Sequence, residues 1–254
     1  MVRLLSGLLL AAAVLAAVLF LPPLGLLLLA CAVAFLAALE YQRIVRSSAS
    51  LQWAAPLVCY VVGSRAYDDA TFGVLLVVIG YAVAGSVLLR DESLERAAAT
   101  AFGLVYIAVP LSTLVLIHRL GGREAVLLLL FTIVVSDSAQ FYTGRLFGRR
   151  PLAPAISPKK TMEGAAGGLL VGVLFVVVAG RLVFPFARTP QLVLLGVALV
   201  VLGISGDLFE SRLKRTAGVK DSSALIPGHG GILDRIDALL FAAPAFYLFI
   251  LEVM

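Results

Sequence analysis

Three aspartates stand close together near the C-terminal end of the 254-residue chain, in the stretch from Ser211 to Asp237. They are Asp221, Asp234 and Asp237, and the spacing of the last two would put them on one face of a helix. Carboxylate oxygens are the hard donors with which proteins bind Mg²⁺, usually one or two of them together with phosphate oxygens and water. The stretch therefore predicts a metal site of the kind that handles a nucleotide.

Basic side chains and a glycine-rich turn accompany these acids. Cations at this position can neutralise a triphosphate and stabilise a leaving pyrophosphate, and they are Lys214, Arg215, Lys220 and Arg235. In the turn at residues 227–231, Gly230 and Gly231 allow main-chain N–H groups to approach a phosphate, and His229 can orient a substrate or form a structural hydrogen bond. Without the neighbouring charges, an ordinary solvated loop would explain this turn equally well.

A second polar stretch runs from residue 137 to residue 164. Lys159 and Lys160 suit phosphate, whereas Thr161 can cap the following helix with Glu163 in its first turn. Capping alone explains Thr161 and Glu163 as well as catalysis does.

Asp137 and Asp207 each stand at the end of an apolar run. Ionisable groups at membrane depth are costly and so indicate a functional partner, although a helix end near water is the alternative for each. Asp207, Ser211 and Lys214 follow i, i+4, i+7 spacing and are expected on one helix face. Both aspartates are further candidate metal ligands.

The composition indicates that lipid surrounds most of the chain. Hydrophobic residues make up 61% and charged residues 14%, with a mean hydropathy of +1.07. Continuous Leu, Val and Ala runs favour an all-α polytopic membrane protein with about nine spans, at residues 4–20, 25–39, 52–63, 71–89, 101–117, 125–142, 165–183, 191–207 and 238–251. We expect a transmembrane scaffold over residues 1–124 and a catalytic region over residues 125–254, integrated in one membrane domain.

The basic residues support this arrangement of spans. With a cytoplasmic N-terminus, the cytoplasmic side receives all of the 20 Lys and Arg except Arg65, Arg119, Arg123, Arg181 and Arg188. The two polar loops, 143–164 and 211–237, then face the same side. The basic pI, about 9.5, is therefore assigned to membrane anchoring and anionic phosphate groups, with no nucleic-acid partner.

The stretch from Ser211 to Asp237 resembles the signature of the phosphatidate cytidylyltransferase family. The residues that match at the family's spacings are Ser211, Lys214-Arg215, Lys220-Asp221, Ser223, Ile226-Pro227, His229-Gly230-Gly231 and Asp234-Arg235-Ile236-Asp237. The stretch from Asp137 to Gly164 resembles the same family's upstream block. Together the resemblance covers about residues 137–237.

The resemblance implies transfer of CMP from CTP to phosphatidate, giving CDP-diacylglycerol and pyrophosphate. The catalytic group would be Lys220, Asp221, His229, Asp234 and Asp237, and the metal environment would be Asp221, Asp234 and Asp237 with Asp137 and Asp207. The expected substrate contacts are Lys159, Lys160, Thr161, Ser211, Lys214, Arg215, Gly230, Gly231 and Arg235. The carboxylates outnumber what one hydrated Mg²⁺ needs, which favours a second cation.

The expected setting follows from the two substrates. Phosphatidate keeps its acyl chains in lipid while CTP is soluble, so the active site should open to both the bilayer and the cytoplasm. We expect an integral protein of the bacterial inner membrane, with membrane lipid around it and a homodimer as its assembly.

Two other functions are compatible with these residues. A CTP-dependent polyprenol or phytol kinase would need the same membrane access and nucleotide chemistry. A transporter of an anionic substrate would explain the intramembrane aspartates and basic loops, but the chain has no evident internal repeat and its charge clusters on one side.

The topology makes the first testable prediction. Single cysteines introduced beside Lys160 and beside Gly228 should both react with a membrane-impermeant thiol reagent from the cytoplasmic side, as should one at the N-terminus, because an even number of predicted spans precedes each position. Labelling of the two loop positions from opposite sides would exclude a shared active site.

Overall fold

The computed structural model describes residues 2–46, 51–64, 94–226, 228 and 230–253. Within these residues the chain forms seven helices and one two-stranded sheet. They are α1 (Val2–Phe20), α2 (Pro23–Val45), α3 (Leu51–Ser64), α4 (Leu94–Phe147), β1 (Pro151–Ala153), β2 (Ser157–Thr161), α5 (Met162–Val183), α6 (Thr189–Thr216) and α7 (Leu233–Val253).

Five helices in the described part of the chain are long and apolar enough to cross a membrane. They are α2, the Ala98–Phe147 part of α4, α5, α6 and α7, with hydropathies from 1.9 to 2.4. The apolar segments Leu5–Phe20 and Leu51–Ser64 are shorter. The expectation of an all-α membrane protein is thus met at the level of fold class.

The predicted spans correspond to helices wherever the structure describes them. Residues 71–89 lie outside the described residues, so the count of nine spans stays a prediction. The helices are longer than the apolar runs: α6 continues from the predicted end at residue 207 to Thr216, and α7 begins five residues before residue 238. Polar side chains at these ends continue the helix beyond the apolar segment.

Helix α4 contains two predicted spans, 101–117 and 125–142. At ~1.5 Å per residue its 54 residues would extend about 80 Å, far more than one bilayer crossing requires. Gly122, with φ 72° and ψ −178°, interrupts the helical backbone between the two segments. Since glycine adopts positive φ at little cost, this residue supplies the break that the sequence required there.

The chain divides into two compact units, residues 1–119 with 217–236 and residues 120–216 with 237–254. In the first unit the α2 side chain of Tyr41 is buried and its hydroxyl donates to the Ala99 carbonyl of α4 at 2.9 Å. Gly103 of α4 lies against the ring of Tyr41 and the side chain of Leu51. Residues 217–236, which contain most of the signature stretch, thus cluster with the N-terminal helices.

The second unit is built on close approach of α5 and α6. Helix α5 buries small residues at intervals of four, at Gly164, Gly168, Gly172 and Gly180, with Val176 in the same series. From α6, Gly196 approaches the backbone of Val173, so that a Cβ there would lie 2.9 Å from the Val173 Cα. Small residues at a helix interface in lipid allow backbones to approach closely.

A short β-hairpin fills most of the loop before α5. Strands β1 and β2 pair antiparallel, with Pro151 opposite Thr161 and Ala153 opposite Ser157. Thr161 then caps α5, because its Oγ1 accepts the Gly164 N–H at 3.1 Å. The predicted cap is confirmed, whereas the hairpin was not expected from the sequence.

The close contact between α5 and α6 allows a prediction about thermal stability. Gly196→Leu should lower the thermal unfolding midpoint in detergent, because overpacking against backbone typically costs about 1–3 kcal/mol. Ala166→Leu, on an exposed position of α5, introduces the same side chain outside this contact and should leave the midpoint nearly unchanged. Equal midpoints for the two variants would contradict this packing.

Candidate active site

The signature stretch continues from the end of α6 into a tight loop before α7, residues 217–232, which we call the signature loop. An isolated bridge joins Ile226 and Gly230, with the Ile226 N–H donating to the Gly230 carbonyl at 2.8 Å. Gly228 and Gly230 have φ values of 77° and 81°, which favour glycine. Pro227 and His229 lie outside the described residues, so the role of His229 stays a prediction.

Asp234 closes this loop at the start of α7. Its Oδ2 accepts hydrogen bonds from the Ser222 N–H at 2.9 Å, the Ser222 hydroxyl at 2.8 Å and the Gly231 N–H at 2.8 Å. A Cβ at Gly230 would lie 2.5 Å from the same oxygen. Asp234, predicted as a metal ligand, therefore also has a structural function, and the Gly231 N–H that was expected to face a phosphate donates to a carboxylate.

Glu40 of α2 is a second anchor of the loop, and the sequence analysis did not identify it. The residue is only 3% exposed. Its Oε1 accepts from the Ser223 hydroxyl at 2.6 Å and the Ile232 N–H at 3.0 Å, and its Oε2 accepts from the Ser222 hydroxyl and the Leu233 N–H, both at 2.8 Å. The available signal was an acidic residue at the end of a long apolar run.

The charged residues next to these anchored positions are exposed. Lys220 and Asp221 directly precede Ser222, and Arg235 directly follows Asp234, and all three are exposed side chains. The loop is thus fixed from inside while its charged groups face outward. This arrangement suits a group of residues that receives a charged ligand.

In the second unit, Lys160 and Asp207 form an ion pair. The Lys160 ammonium of β2 contacts the Asp207 Oδ2 of α6, and both side chains are partly buried. The Ser211 hydroxyl donates to the Asp207 Oδ1 at 3.3 Å, one turn along α6. The expected common face of Asp207 and Ser211 is confirmed, and the structure adds Lys160 to it.

Asp137 and Asp237 belong to the same electrostatic cluster. Asp137 of α4 interacts with both Lys160 and Asp207, and its Oδ1 accepts from the Gln140 amide at 3.0 Å. Asp237 of α7 interacts most strongly with Asp207 and also with Lys214 and Lys160. The second unit therefore gathers three of the five predicted metal carboxylates around one lysine.

Lys214 is paired with a residue that the sequence analysis did not single out. Its ammonium contacts the Glu210 carboxylate one turn earlier on α6, and both residues are buried. Arg215 beside it is exposed. The predicted phosphate contact of Lys214 stays a prediction, and its ion pair with Glu210 holds the ammonium in place within the second unit.

The β-hairpin presents the remaining predicted contacts. Lys159 is exposed, and Thr161 is occupied as the cap of α5. The Glu163 carboxylate accepts the backbone N–H groups of Arg149 and Arg150 at 3.0 and 3.2 Å. The residues identified as a cap and its acidic neighbour thus stabilise the two ends of the hairpin.

The carboxylates clustered in the second unit are of the right chemical type for a hard cation, but they are not arranged closely enough to bind one by themselves. Carboxylate oxygens are the ligands that Mg²⁺ prefers, and the negative charge of Asp207 repels those of both Asp137 and Asp237, which a bound cation would relieve. Across the described ranges, however, no three acidic, His or Cys residues are arranged closely enough to hold a metal ion. Lys160 supplies positive charge to the cluster in this structure.

A small cavity lies beside Asp137. It has a volume of about 10 Å³, and its polar lining includes Thr132, Ser136, Asp137 and Gln140. That volume suffices for about one water molecule, whereas ligand pockets typically span about 300–1,000 Å³. The cavity can hydrate the carboxylate but cannot admit a nucleotide.

Comparison with known proteins gives a match over almost the whole chain. The Escherichia coli protein YnbB, described as uncharacterized, is 36% identical over 230 residues, which are 86% of this chain and 76% of that protein. Phosphatidate cytidylyltransferases of Thermotoga maritima and Aquifex aeolicus are 38% and 42% identical over 172 and 147 residues. These segments are 62% and 58% of this chain, and they span only 60% and 54% of the two enzymes. Residues 1–253 match the cytidylyltransferase family, and the chain belongs to that family.

Proposed function

We propose that this protein transfers CMP from CTP to phosphatidate, producing CDP-diacylglycerol and pyrophosphate. The family match over residues 1–253 carries the proposal, since it includes both charged stretches and the helices that bear them. The relatives named phosphatidate cytidylyltransferase supply the acceptor. The exposed charged residues of the signature loop, and the cluster of Asp137, Asp207 and Asp237 around Lys160, provide the charged groups that the reaction needs.

The reaction needs alignment and charge neutralisation more than a strong base. A phosphate oxygen of phosphatidate, already anionic, attacks the α-phosphorus of CTP in line, and the bond from that phosphorus to the pyrophosphate oxygen breaks. No proton has to be removed from the nucleophile. Negative charge grows on the departing pyrophosphate, where cations contribute most.

The basic residues fall into two groups by unit. In the first unit Lys220 and Arg235 are exposed and adjoin proposed metal ligands, so we assign them to the nucleotide phosphates. In the second unit Lys160 is held by Asp207, and we assign it to a substrate phosphate with Lys159, Arg215 and Lys214. Ser211 completes the proposed substrate contacts, whereas Thr161 caps α5 and Gly230 and Gly231 pack against the Asp234 carboxylate and the residues around it.

Magnesium belongs to this proposal through the carboxylates. The carboxylates proposed for it are Asp221, Asp234 and Asp237, with Asp137 and Asp207 for a second cation. Because no three of these described side chains are arranged to hold an ion by themselves, substrate phosphate oxygens and water would complete each coordination shell. Bound Mg²⁺ supplies charge neutralisation at the triphosphate. The chain's own contribution is to orient the Asp234 carboxylate through three donors to its Oδ2 and to leave the Asp221 carboxylate exposed to an arriving substrate.

The finer topology is likewise proposed. Nine spans with a cytoplasmic N-terminus would put both polar loops on the cytoplasmic face of a bacterial inner membrane, where soluble CTP and membrane phosphatidate meet. Membrane lipid surrounds the helices in this arrangement. A homodimer is the proposed assembly.

A direct assay tests the proposed function. Purified protein in mixed micelles should release pyrophosphate from CTP only when both phosphatidate and Mg²⁺ are present, and CDP-diacylglycerol should form in equal amount. Chelating Mg²⁺ should stop the reaction, and restoring it should recover the rate. Formation of CDP with a phosphorylated isoprenoid or phytol acceptor would instead identify a kinase.

Lys220 separates catalysis from membrane anchoring. Lys220→Ala should lower kcat/KM by about 10²-fold or more, the usual effect of removing a charge contact made in the transition state. Arg149→Ala is the matched control, because the contact of Arg149 with Glu163 uses a backbone N–H that alanine keeps. The control should retain activity within about threefold. Similar losses of expression for both variants, with specific activity preserved, would make the loop charges anchors.

A further inference from the structure

Glu40 is the most completely hydrogen-bonded buried acid in the described part of the first unit. Each of its two oxygens accepts one serine hydroxyl and one backbone N–H, from residues 182 to 193 positions later in the chain. The hydroxyls come from the beginning of the signature loop and the N–H groups from its end. One carboxylate therefore joins the two ends of the loop.

Within the described residues, hydrogen-bond donors and not basic side chains compensate the charge of Glu40. Among the described residues, no Lys or Arg forms an ion pair with it. Its donors instead include the N–H groups of Ile232 and Leu233, at the N-terminus of α7, where unpaired amides and the helix dipole favour negative charge. Burying a carboxylate is costly unless such donors are provided, so this arrangement is specific to an acid.

Gly231 packs directly against the Glu40 carboxylate. A Cβ at Gly231 would collide with the Ser222 Oγ and the Glu40 Oε2. The Ser222 hydroxyl also lies 2.8 Å from the Asp234 Oδ2, so the two carboxylates share one donor. Glu40, Ser222 and Asp234 thus form one connected network beneath the loop.

The residues bonded to Glu40 are the chain neighbours of the proposed catalytic groups. Ser222 directly follows Lys220-Asp221, and Leu233 directly precedes Asp234-Arg235. A change of about 1 Å in the placement of such groups can cost about 10²-fold in rate. Because Glu40 holds both pairs, its carboxylate sets the separation between them.

We propose that Glu40 is the positioning residue of the signature loop, fixing Lys220-Asp221 relative to Asp234-Arg235 through its four hydrogen bonds. This inference deepens the proposed function and rests on it. Glu40 does not contact substrate in this account. Its effect on the reaction passes through the loop.

Glu40→Gln tests the inference, because the amide replaces one acceptor oxygen by a donor and leaves a backbone N–H without its partner. We expect kcat for pyrophosphate release to fall about 10-fold or more, with KM for CTP changed less than about threefold. Tyr41→Phe is the matched structural control. It removes a buried hydrogen bond to Ala99 one residue along α2, so the unfolding midpoint should fall while kcat stays within about twofold.

Ser223→Ala keeps the inference testable if Glu40→Gln does not fold. It removes one donor to the Glu40 Oε1 and the acceptor of the Leu225 N–H, so the unfolding midpoint should fall about as far as in Tyr41→Phe, whereas kcat should fall in Ser223→Ala alone. The double variant should be no slower than Glu40→Gln alone within about twofold, because both changes perturb the same carboxylate.

The outcomes distinguish this inference from the proposed function. A wild-type protein that releases no pyrophosphate from CTP with phosphatidate and Mg²⁺ overturns the proposed function. If the wild type is active, the positioning role alone is overturned when folded Glu40→Gln keeps its kcat. It is also overturned when the loss of kcat in Glu40→Gln is no larger than its loss of stability explains, with Tyr41→Phe as the reference. Unchanged kcat in Ser223→Ala overturns the positioning role when Glu40→Gln is unfolded.

Discussion

A charge inside an apolar helical protein has to be compensated within the protein, because lipid offers neither hydrogen-bond donors nor counterions. In the first unit, this constraint is met together with a second one, the need of a helix N-terminus for hydrogen-bond acceptors. The N-terminus of α7 has N–H groups that need acceptors, and Glu40 and Asp234 need donors. Their mutual pairing stabilises the carboxylates and gives the loop its shape. The exposed charged residues next to this buried network, Lys220, Asp221 and Arg235, depend on it for their positions.

The second unit meets the same constraint with ion pairs. Helix α6 carries Asp207, Glu210 and Lys214 within the two turns that follow its apolar part, and each has an opposite charge nearby. Glu210 and Lys214 are paired within the helix, whereas Asp207 is paired with Lys160 of the hairpin. The chain entering the hairpin is itself held by Glu163, which accepts the two backbone N–H groups immediately before β1. Its lysine is thereby brought to the helix at a fixed place.

Much of the fold could be predicted from hydrophobic patterning, since a continuous apolar run in lipid has to be helical. The helix ends were less predictable, because polar residues such as Ser211 continue α6 once they find partners on the same helix. The β-hairpin has no alternating apolar pattern and is stabilised by Thr161 and Glu163, whose contacts cross the loop. Glu40 was missed because its partners lie 182 or more positions away, and no local spacing reports such a contact.

The glycines of the signature acquire a different physical explanation from the structure. Sequence reasoning assigned Gly230 and Gly231 to the approach of a phosphate. In the folded loop, position 231 requires glycine because the Ser222 hydroxyl and Glu40 occupy the space that a side chain would need. Position 230 requires glycine because its φ is positive and because a Cβ there would collide with the Asp234 carboxylate. Polar atoms of the signature therefore divide into those that build the loop, such as the Asp234 Oδ2, and the exposed charges of Lys220, Asp221 and Arg235. Because the first group is already bonded within the protein, a triphosphate arriving from water meets the second.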